Sequence, residues 1–217
     1  MKTRFVFLGP PGAGKGTQAA LASALVGVPA IATGGIFREA IARETAMGKQ
    51  IAQFVTSGLL VPDKLTNAIV GERLSSPDCG KGFILDGYPR SLVQAKALDD
   101  FLRESQRPLD GVLYFKVEAA VVMERMGQRR ICGQCGATYN LVSQPPQEAG
   151  RCDKCGASLI VRSDDRPEAI SKRLDVYEET TSPLLKYYEE KGILSVLNAS
   201  ASVEDVSRQV AAVCGAR

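Results

Sequence analysis

Histidine is absent from the 217 residues. That removes Ser-His-Asp and Cys-His catalysis, and every histidine-ligated metal site. Absent too is any apolar run near the roughly 18 residues that a membrane span needs, so no membrane partner is expected. The apolar stretch in "MKTRFVFLGPPGAG" is broken at once by Gly9 and Pro10 and reads as a buried strand rather than a signal peptide. A cytosolic, that is cytoplasmic, location is therefore expected, where the six cysteines stay reduced. Reduced thiols favour metal ligation or inert packing over disulfides. Charge of one sign is not in excess, with 27 basic against 24 acidic residues and a net of +3. That argues against a protein that coats polyanions, although a local basic cluster stays open. No internal repeat and no low-complexity tract is found.

What is present is a chain with 45% hydrophobic residues, long enough for one sizeable domain with insertions or two small ones. Short apolar runs at 4–8, 28–32, 82–86, 111–117 and 193–197 read as strands. Helical spacing follows each of the first four, and "VEDVSRQVAAVC" closes the chain as a helix. Thr33 is a cap candidate for one helix, and Pro62 and Asp63 start another. "DDRPEAISKRLDVYEETTSPLLKYYEE" reads as a long helix with a bend at Pro183, and Asp165 and Glu168 have capping-box spacing at its start. Alternation of this kind predicts an α/β fold: a five-stranded parallel sheet with helices on both faces. Ligands of such sheets lie outside the carboxyl ends of the strands.

"GPPGAGKGT" (9–17) joins the first strand to the first helix. Glycines there let successive N–H groups turn inward, the helix N-terminus adds its dipole, and Lys15 adds a full charge. The segment departs from the strict G-x-x-x-x-G-K-[ST] pattern, because Gly16 follows the lysine and Thr17 comes one place later. The alternative is a Gly/Pro turn with a chance lysine. In "FILDGYPRS" (83–91), Asp86 ends an apolar strand where phosphate-loop proteins keep a magnesium-linked carboxylate. Its competing reading is a strand-end turn cap. Gly87 follows in place of a second acid, so no base for activating water is apparent, which favours transfer to a bound acceptor over hydrolysis.

Six segments now carry a resemblance: "GPPGAGKGT", "ATGGIFR" (32–38), "DGYPRS" (86–91), "RMGQRR" (125–130), "CGATYN" (135–140) and "RSDDRPEAISKRL" (162–174). In this order and spacing the chain resembles the adenylate kinases, in the bacterial form with a metal-binding lid. The resemblance covers essentially the whole chain. It implies a phosphate-loop kinase core over 1–217, an insert at 32–61 that binds the nucleoside monophosphate, and a zinc-binding lid at 128–165. It further implies reversible transfer of a phosphoryl group from ATP to AMP, giving two ADP, with Mg2+ accompanying ATP and a structural Zn2+.

Such a reaction gathers negative charge that arginine is suited to neutralise. Arg125 and Arg129 are four apart, a spacing that places them on one helix face. The resemblance implies that Lys15, Asp86, Arg90, Arg125, Arg129, Arg162 and Arg173 serve the transfer. ATP would meet Gly12, Ala13, Gly14, Lys15, Gly16, Thr17 and Arg129, with Thr138, Tyr139 and the backbone of Ala201 at its base. AMP would meet Thr33, Arg38, Leu59, Leu60, Val61, Gly87, Tyr88, Pro89, Arg90 and Gln94, with Arg162 and Arg173 reaching it as well. Family members commonly carry Asp where Gly35 stands, so the carboxylates near magnesium are expected to rest more on Asp86.

Cys132-x-x-Cys135 and Cys152-x-x-Cys155, sixteen residues apart, match a four-thiolate zinc ribbon. A redox pair usually opens a helix after a strand, whereas two facing pairs suit a metal. Four protein ligands leave no open position for catalysis. Cys79 and Cys214 stand outside the pattern and read as small apolar residues. Between the pairs there is one aromatic, Tyr139, and one basic residue, Arg151. That is too little for a nucleic-acid surface, so no nucleic-acid partner is expected. Lying between Arg129 and Arg162, the ribbon is placed to cover the phosphates, with the ion supplying folding energy. The expected partners are ATP, AMP and ADP, and the expected state is a monomer. The rivals are a kinase for another nucleoside monophosphate and, from another class, a zinc-ribbon nucleic-acid-binding protein.

Overall fold

The computed structural model describes residues 2–215. In chain order the elements are β1 (Arg4–Leu8), α1 (Lys15–Val26), β2 (Ala30–Ala32), α2 (Thr33–Ala42), α3 (Ala46–Thr56), α4 (Asp63–Leu74), β3 (Phe83–Asp86), α5 (Leu92–Glu104) and β4 (Gly111–Lys116). Then come α6 (Ala119–Gly127), β5 (Arg129–Cys132), β6 (Thr138–Asn140), β7 (Leu159–Ile160), α7 (Pro167–Val176), α8 (Leu184–Glu190), β8 (Leu194–Asn198) and α9 (Val203–Cys214). Five strands form a parallel sheet in the order β2-β3-β1-β4-β8. Its strands are apolar along their length because both faces are covered. One face buries Phe5, Phe7, Ile84, Leu113 and Phe115 against α1 and α9. The other buries Val6, Phe83, Leu85 and Val112 against α4, α5 and α8. No helix among the described residues is long and apolar enough to cross a membrane.

Register positions the site. Phe7 and Ala32 both pair with Asp86, so the carboxyl ends of β1, β2 and β3 stop side by side. The phosphate loop, Thr33 and Asp86 therefore share one edge. Two insertions flank that edge. Between β2 and β3, α2 and α3 pack around Phe37, Ile51 and Val61. Between α6 and α7, a three-stranded antiparallel sheet of order β6-β5-β7 carries the cysteines.

Several local expectations change. Arg125 and Arg129 do not share a helix face: α6 ends at Gly127, and Arg129 opens β5 opposite Asn140. Glycine weakens the helix there, while β6 and β7 claim the backbone that follows. The capping box does not form either. Asp165 gives its carboxylate to Arg129 and Arg173, and α7 starts on Pro167 with Arg166 as N-cap. Thr33 lies inside α2 and donates to the Gly87 carbonyl at 2.8 Å instead of capping. The long helix is interrupted before Pro183, by a wide turn over Tyr177–Thr181 in which the Ser182 N–H reaches back to the Tyr177 carbonyl. Such a bulge absorbs the residue whose hydrogen bond proline cannot continue. Helix α3 is an additional element; its start is capped by Thr45, whose hydroxyl accepts from Gly48 N–H at 2.9 Å.

Candidate active site

A cleft of about 1390 Å³ runs along the carboxyl edge of the sheet, between the two insertions. The phosphate loop forms its floor. Gly14, at φ 88°, caps α1 in the left-handed region where a side chain would be strained. This turn points the first N–H groups of α1 into the cleft. Lys15 donates to the carbonyls of Gly9 at 2.7 Å and Pro10 at 2.8 Å. Loss of water around its ammonium pushes its pKa down to about 8; Asp86 resists this, and Arg90, Arg173 and Arg129 reinforce it. A cation held this way gains from any anion that arrives. Space is tight at Gly16, where the usual loop pattern has Ser or Thr. A Cβ on Gly16 would lie 3.3 Å from Asp86 Oδ2, so the loop and the strand-end carboxylate sit in contact.

The arginines meet across the cleft from four elements. Arg129 makes a bidentate pair with Asp165 along one guanidinium edge, Nε donating to Oδ2 at 2.7 Å and Nη2 to Oδ1. Arg162 grips Asp164 at 2.8 and 2.5 Å. Arg173 reaches the Asp164 carbonyl at 2.9 Å and the Asp165 carboxylate at 3.2 Å. Burial works against charge on Asp164, yet the hydrogen bond and charge of Arg162, with Arg173 and Arg38, hold its pKa at about 2. Burial, aided by other arginines, pushes Arg38 and Arg173 down to about 10 each, with Asp164 opposing. Arg38 and Arg173 therefore keep their charge at neutral pH, and the four guanidinium groups outnumber the two carboxylates, Asp164 and Asp165, set among them. The two aspartates were missed as ion partners, although their position between Arg162 and Arg166 was a signal.

Arg90 turns back on its own loop, its Nε donating to the Gly87 carbonyl at 2.8 Å. Gly87, at φ 77°, leaves space there, since a Cβ would meet the Arg90 guanidinium at 2.9 Å. Arg125 points to the loop after β8, donating to the Ala199 carbonyl at 2.7 Å and flanking Ala201. Thr33, Arg38, Leu59, Leu60, Val61, Pro89 and Gln94 line the end of the cleft beside α2 and α3. Thr138, Tyr139 and Ala201 line the other end, against α1 and α9. Tyr88 is the exception among the expected residues. Its side chain is buried in the core, and its hydroxyl donates to Asn67 Oδ1 at 2.9 Å. A Cβ on Gly35 would touch only Ala32, at 3.7 Å, so the position has room for a side chain.

In the ribbon the four sulfurs of Cys132, Cys135, Cys152 and Cys155 lie within 4.8 Å of one another. Tetrahedral zinc with bonds of about 2.3 Å implies sulfur separations of about 3.8 Å, and two of the separations are 3.4 and 3.5 Å. The donor set fits the ion. The backbone N–H of Cys135 draws the Cys132 thiol below its ordinary pKa, and the Tyr139 hydroxyl draws Cys152 down to about 6. Against the Ala157 N–H, hydrogen bonds to the neighbouring sulfurs, led by Cys132, together with burial push Cys155 up to about 12; a bound divalent cation would take the place of that shared proton. Cys79 and Cys214 are buried elsewhere and remote from this cluster.

The adenylate kinase family model matches residues 7–193. An adenylate kinase of Fervidobacterium nodosum is 49% identical over 203 residues, covering 94% of this chain and 93% of the relative. One from Thermosipho melanesiensis is 48% identical over 205 residues, covering 94% and 96%. One from Archaeoglobus fulgidus is 47% identical over 208 residues, covering 96% of each. Identity at this level, extending over both insertions as well as the sheet, leaves one conclusion about kinship: this chain belongs to the adenylate kinase family.

Proposed function

We propose that the protein catalyses reversible, magnesium-dependent transfer of the terminal phosphoryl group of ATP to AMP, yielding two ADP. The observation that carries this is one continuous cleft of about 1390 Å³ that takes in the phosphate loop, Thr33, Leu59, Leu60, Val61 and Gln94 on one side, and Thr138, Tyr139 and Ala201 on the other. ATP lies along the loop from Gly12 to Thr17, its base between Thr138, Tyr139 and the Ala199–Ala201 backbone, whose carbonyls accept from Arg125. AMP lies against Thr33, Leu59, Leu60, Val61 and Gln94, its phosphate near Arg38 and Arg90. Thr17 and Asp86 would hold the magnesium ion, which when bound neutralises charge on the phosphates.

No side chain forms a covalent intermediate in this reading. Lys15, Arg129, Arg162 and Arg173 surround the group in transfer, where fixed cations stabilise charge that spreads over its oxygens. Asp164 and Asp165 hold those guanidinium groups in place before substrate arrives, which lowers the cost of reorganisation. The insert at 32–61 and the lid at 128–165 close over the nucleotides and exclude water, so that the acceptor is AMP rather than solvent. The cysteine cluster holds a structural zinc ion that braces the lid. We place the protein in the cytoplasm as a monomer, a state that light scattering tests directly.

The test is a coupled assay of ADP formation from ATP with AMP, GMP, CMP and UMP in turn. A rate with AMP well above the others supports the reading; an equal or higher rate with another base assigns the enzyme to that monophosphate.

A further inference from the structure

Gln94 is buried, with 2% of its surface exposed, and faces the AMP end of the cleft. A carboxamide can be read in two orientations, and its rotation exchanges an acceptor for a donor. Here both of its ends are held. Gln94 Oε1 accepts from the Arg90 backbone N–H at 2.7 Å. Gln94 Nε2 donates to Asp63 Oδ1 at 2.7 Å. Reversing the amide would set two donors against each other at Arg90 and two acceptors at Asp63. Asp63 is itself fixed, because the Ser91 hydroxyl donates to the same Oδ1 at 3.1 Å. Ser91 is in turn the N-cap of α5, accepting from the Gln94 N–H at 3.2 Å. Asp63 opens α4, so one carboxylate ties the starts of two helices to one amide.

We propose that Asp63 is a positioning residue for base selection: it locks the Gln94 amide in the orientation that reads adenine and rejects a base with the inverted edge. Each end of the amide spends one of its two bonding capacities on the lock and keeps one for the base. The free oxygen capacity accepts from the adenine 6-amino group, and the free N–H donates to ring N1. Hypoxanthine carries the opposite order, an oxygen at position 6 and a hydrogen on N1. Against a locked amide it meets acceptor with acceptor and donor with donor, and buried polar groups left unpaired are costly. Asp63 does not line the cleft, so it acts through Gln94 rather than on the base.

This rests on the proposed contact between Gln94 and the AMP base, and the experiment separates the two. Steady-state kcat/KM is measured for AMP and for inosine monophosphate, with ATP saturating, in wild type, Asp63→Ala, Asp63→Asn and Gln94→Ala. The expected result is that Asp63→Ala lowers the AMP-to-inosine ratio by about tenfold or more, the scale of one mispaired buried polar group. The KM for ATP should stay within about twofold, because the ATP end of the cleft is untouched. Asp63→Asn keeps an oxygen that accepts from Nε2 and should restore most of the ratio, which a purely helix-packing role does not predict. Where Asp63→Ala does not fold, Asp63→Ser replaces it, since its hydroxyl is one bond too short to reach Nε2. A wild-type ratio in the folded Asp63 variant, together with a lost ratio in Gln94→Ala, overturns the lock and leaves the base contact standing. A wild-type ratio in Gln94→Ala overturns the base contact and the lock with it.

Discussion

The parallel sheet buries Phe5, Phe83, Ile84, Val112 and Phe115 completely, whereas the ribbon's own core consists of Cys132, Tyr139 and Cys152, with Ala137, Ala157 and Leu159 against them. Apolar residues are available to the ribbon, but Leu141, Val142, Ile160 and Val161 are exposed on it. The difference lies in strand length and coverage. The sheet strands are sandwiched between helix layers, while β6 and β7 span three residues and two. A segment that cannot bury enough surface needs another source of folding energy, and four thiolates converging on one point supply it when a cation binds. On the proposed reading of the ribbon as a closing lid, such a segment gains from being cohesive by itself, while the phosphate loop gains from a rigid base.

Truncating the sheet's core should have the largest effect. Phe115→Ala removes a fully buried ring that packs on Phe7 at 5.0 Å between centroids. It should cost about 3–5 kcal/mol and shift chemical unfolding of the whole protein, as followed by circular dichroism. A loss under about 1 kcal/mol would mean that the sheet is not the stability core.

Next in size is a change at the rigid edge that should leave stability alone. Lys15→Met and Arg90→Ala each remove a cation from the cleft. Each should lose about 3 kcal/mol or more of transition-state stabilisation, about a hundredfold in rate, with the melting temperature held or raised. Near-normal ADP formation by either variant would refute the role assigned to it.

The lid should respond in the opposite sense. Removing metal with a chelator, or Cys152→Ser, should loosen 131–158 to amide exchange and lower the melting temperature. A loss of about 2 kcal/mol would appear as about 4–8 °C for a chain of this size. Protection of β1, β3 and β4 should persist, and some turnover at low temperature should remain, because Lys15, Asp86 and Arg90 lie outside the lid. Loss of protection in the parallel sheet would show that the two regions fold as one unit.

The smallest effect is in pH. Burial lowers the Lys15 pKa to about 8 in the free protein, below its ordinary value. Lys15 therefore loses its proton as pH rises through about 8, and a bound polyphosphate restores it. ATP affinity should decline above that pH by no more than about tenfold per unit, with proton uptake on binding. Titration calorimetry in two buffers of different ionisation enthalpy measures the uptake, and Lys15→Arg, which stays charged, should abolish it. Equal uptake in that variant would assign the proton to another group.

Much was legible in the sequence because it is local. Apolar runs bounded by turns marked the strands of the parallel sheet, since each is covered on both faces and has no polar side to hide. The phosphate loop was legible from its glycines and Lys15, which act through the backbone they belong to. The cysteine spacing marked the residues whose four sulfurs cluster in the ribbon. Tertiary structure alone decided what depends on partners far away in the chain. Gly127 and the pairing of β5 moved Arg129 off the helix of Arg125. The needs of Arg129 and Arg173 took Asp165 from the cap it was spaced to make. The core took the Tyr88 side chain from the cleft. Asp63 reads in sequence as a helix start, and it became the anchor of Gln94 only because α5 brings residue 94 within 2.7 Å of it. Periodicity and spacing report which face a residue prefers; a hydrogen bond between residues 31 apart is set by how the helices pack.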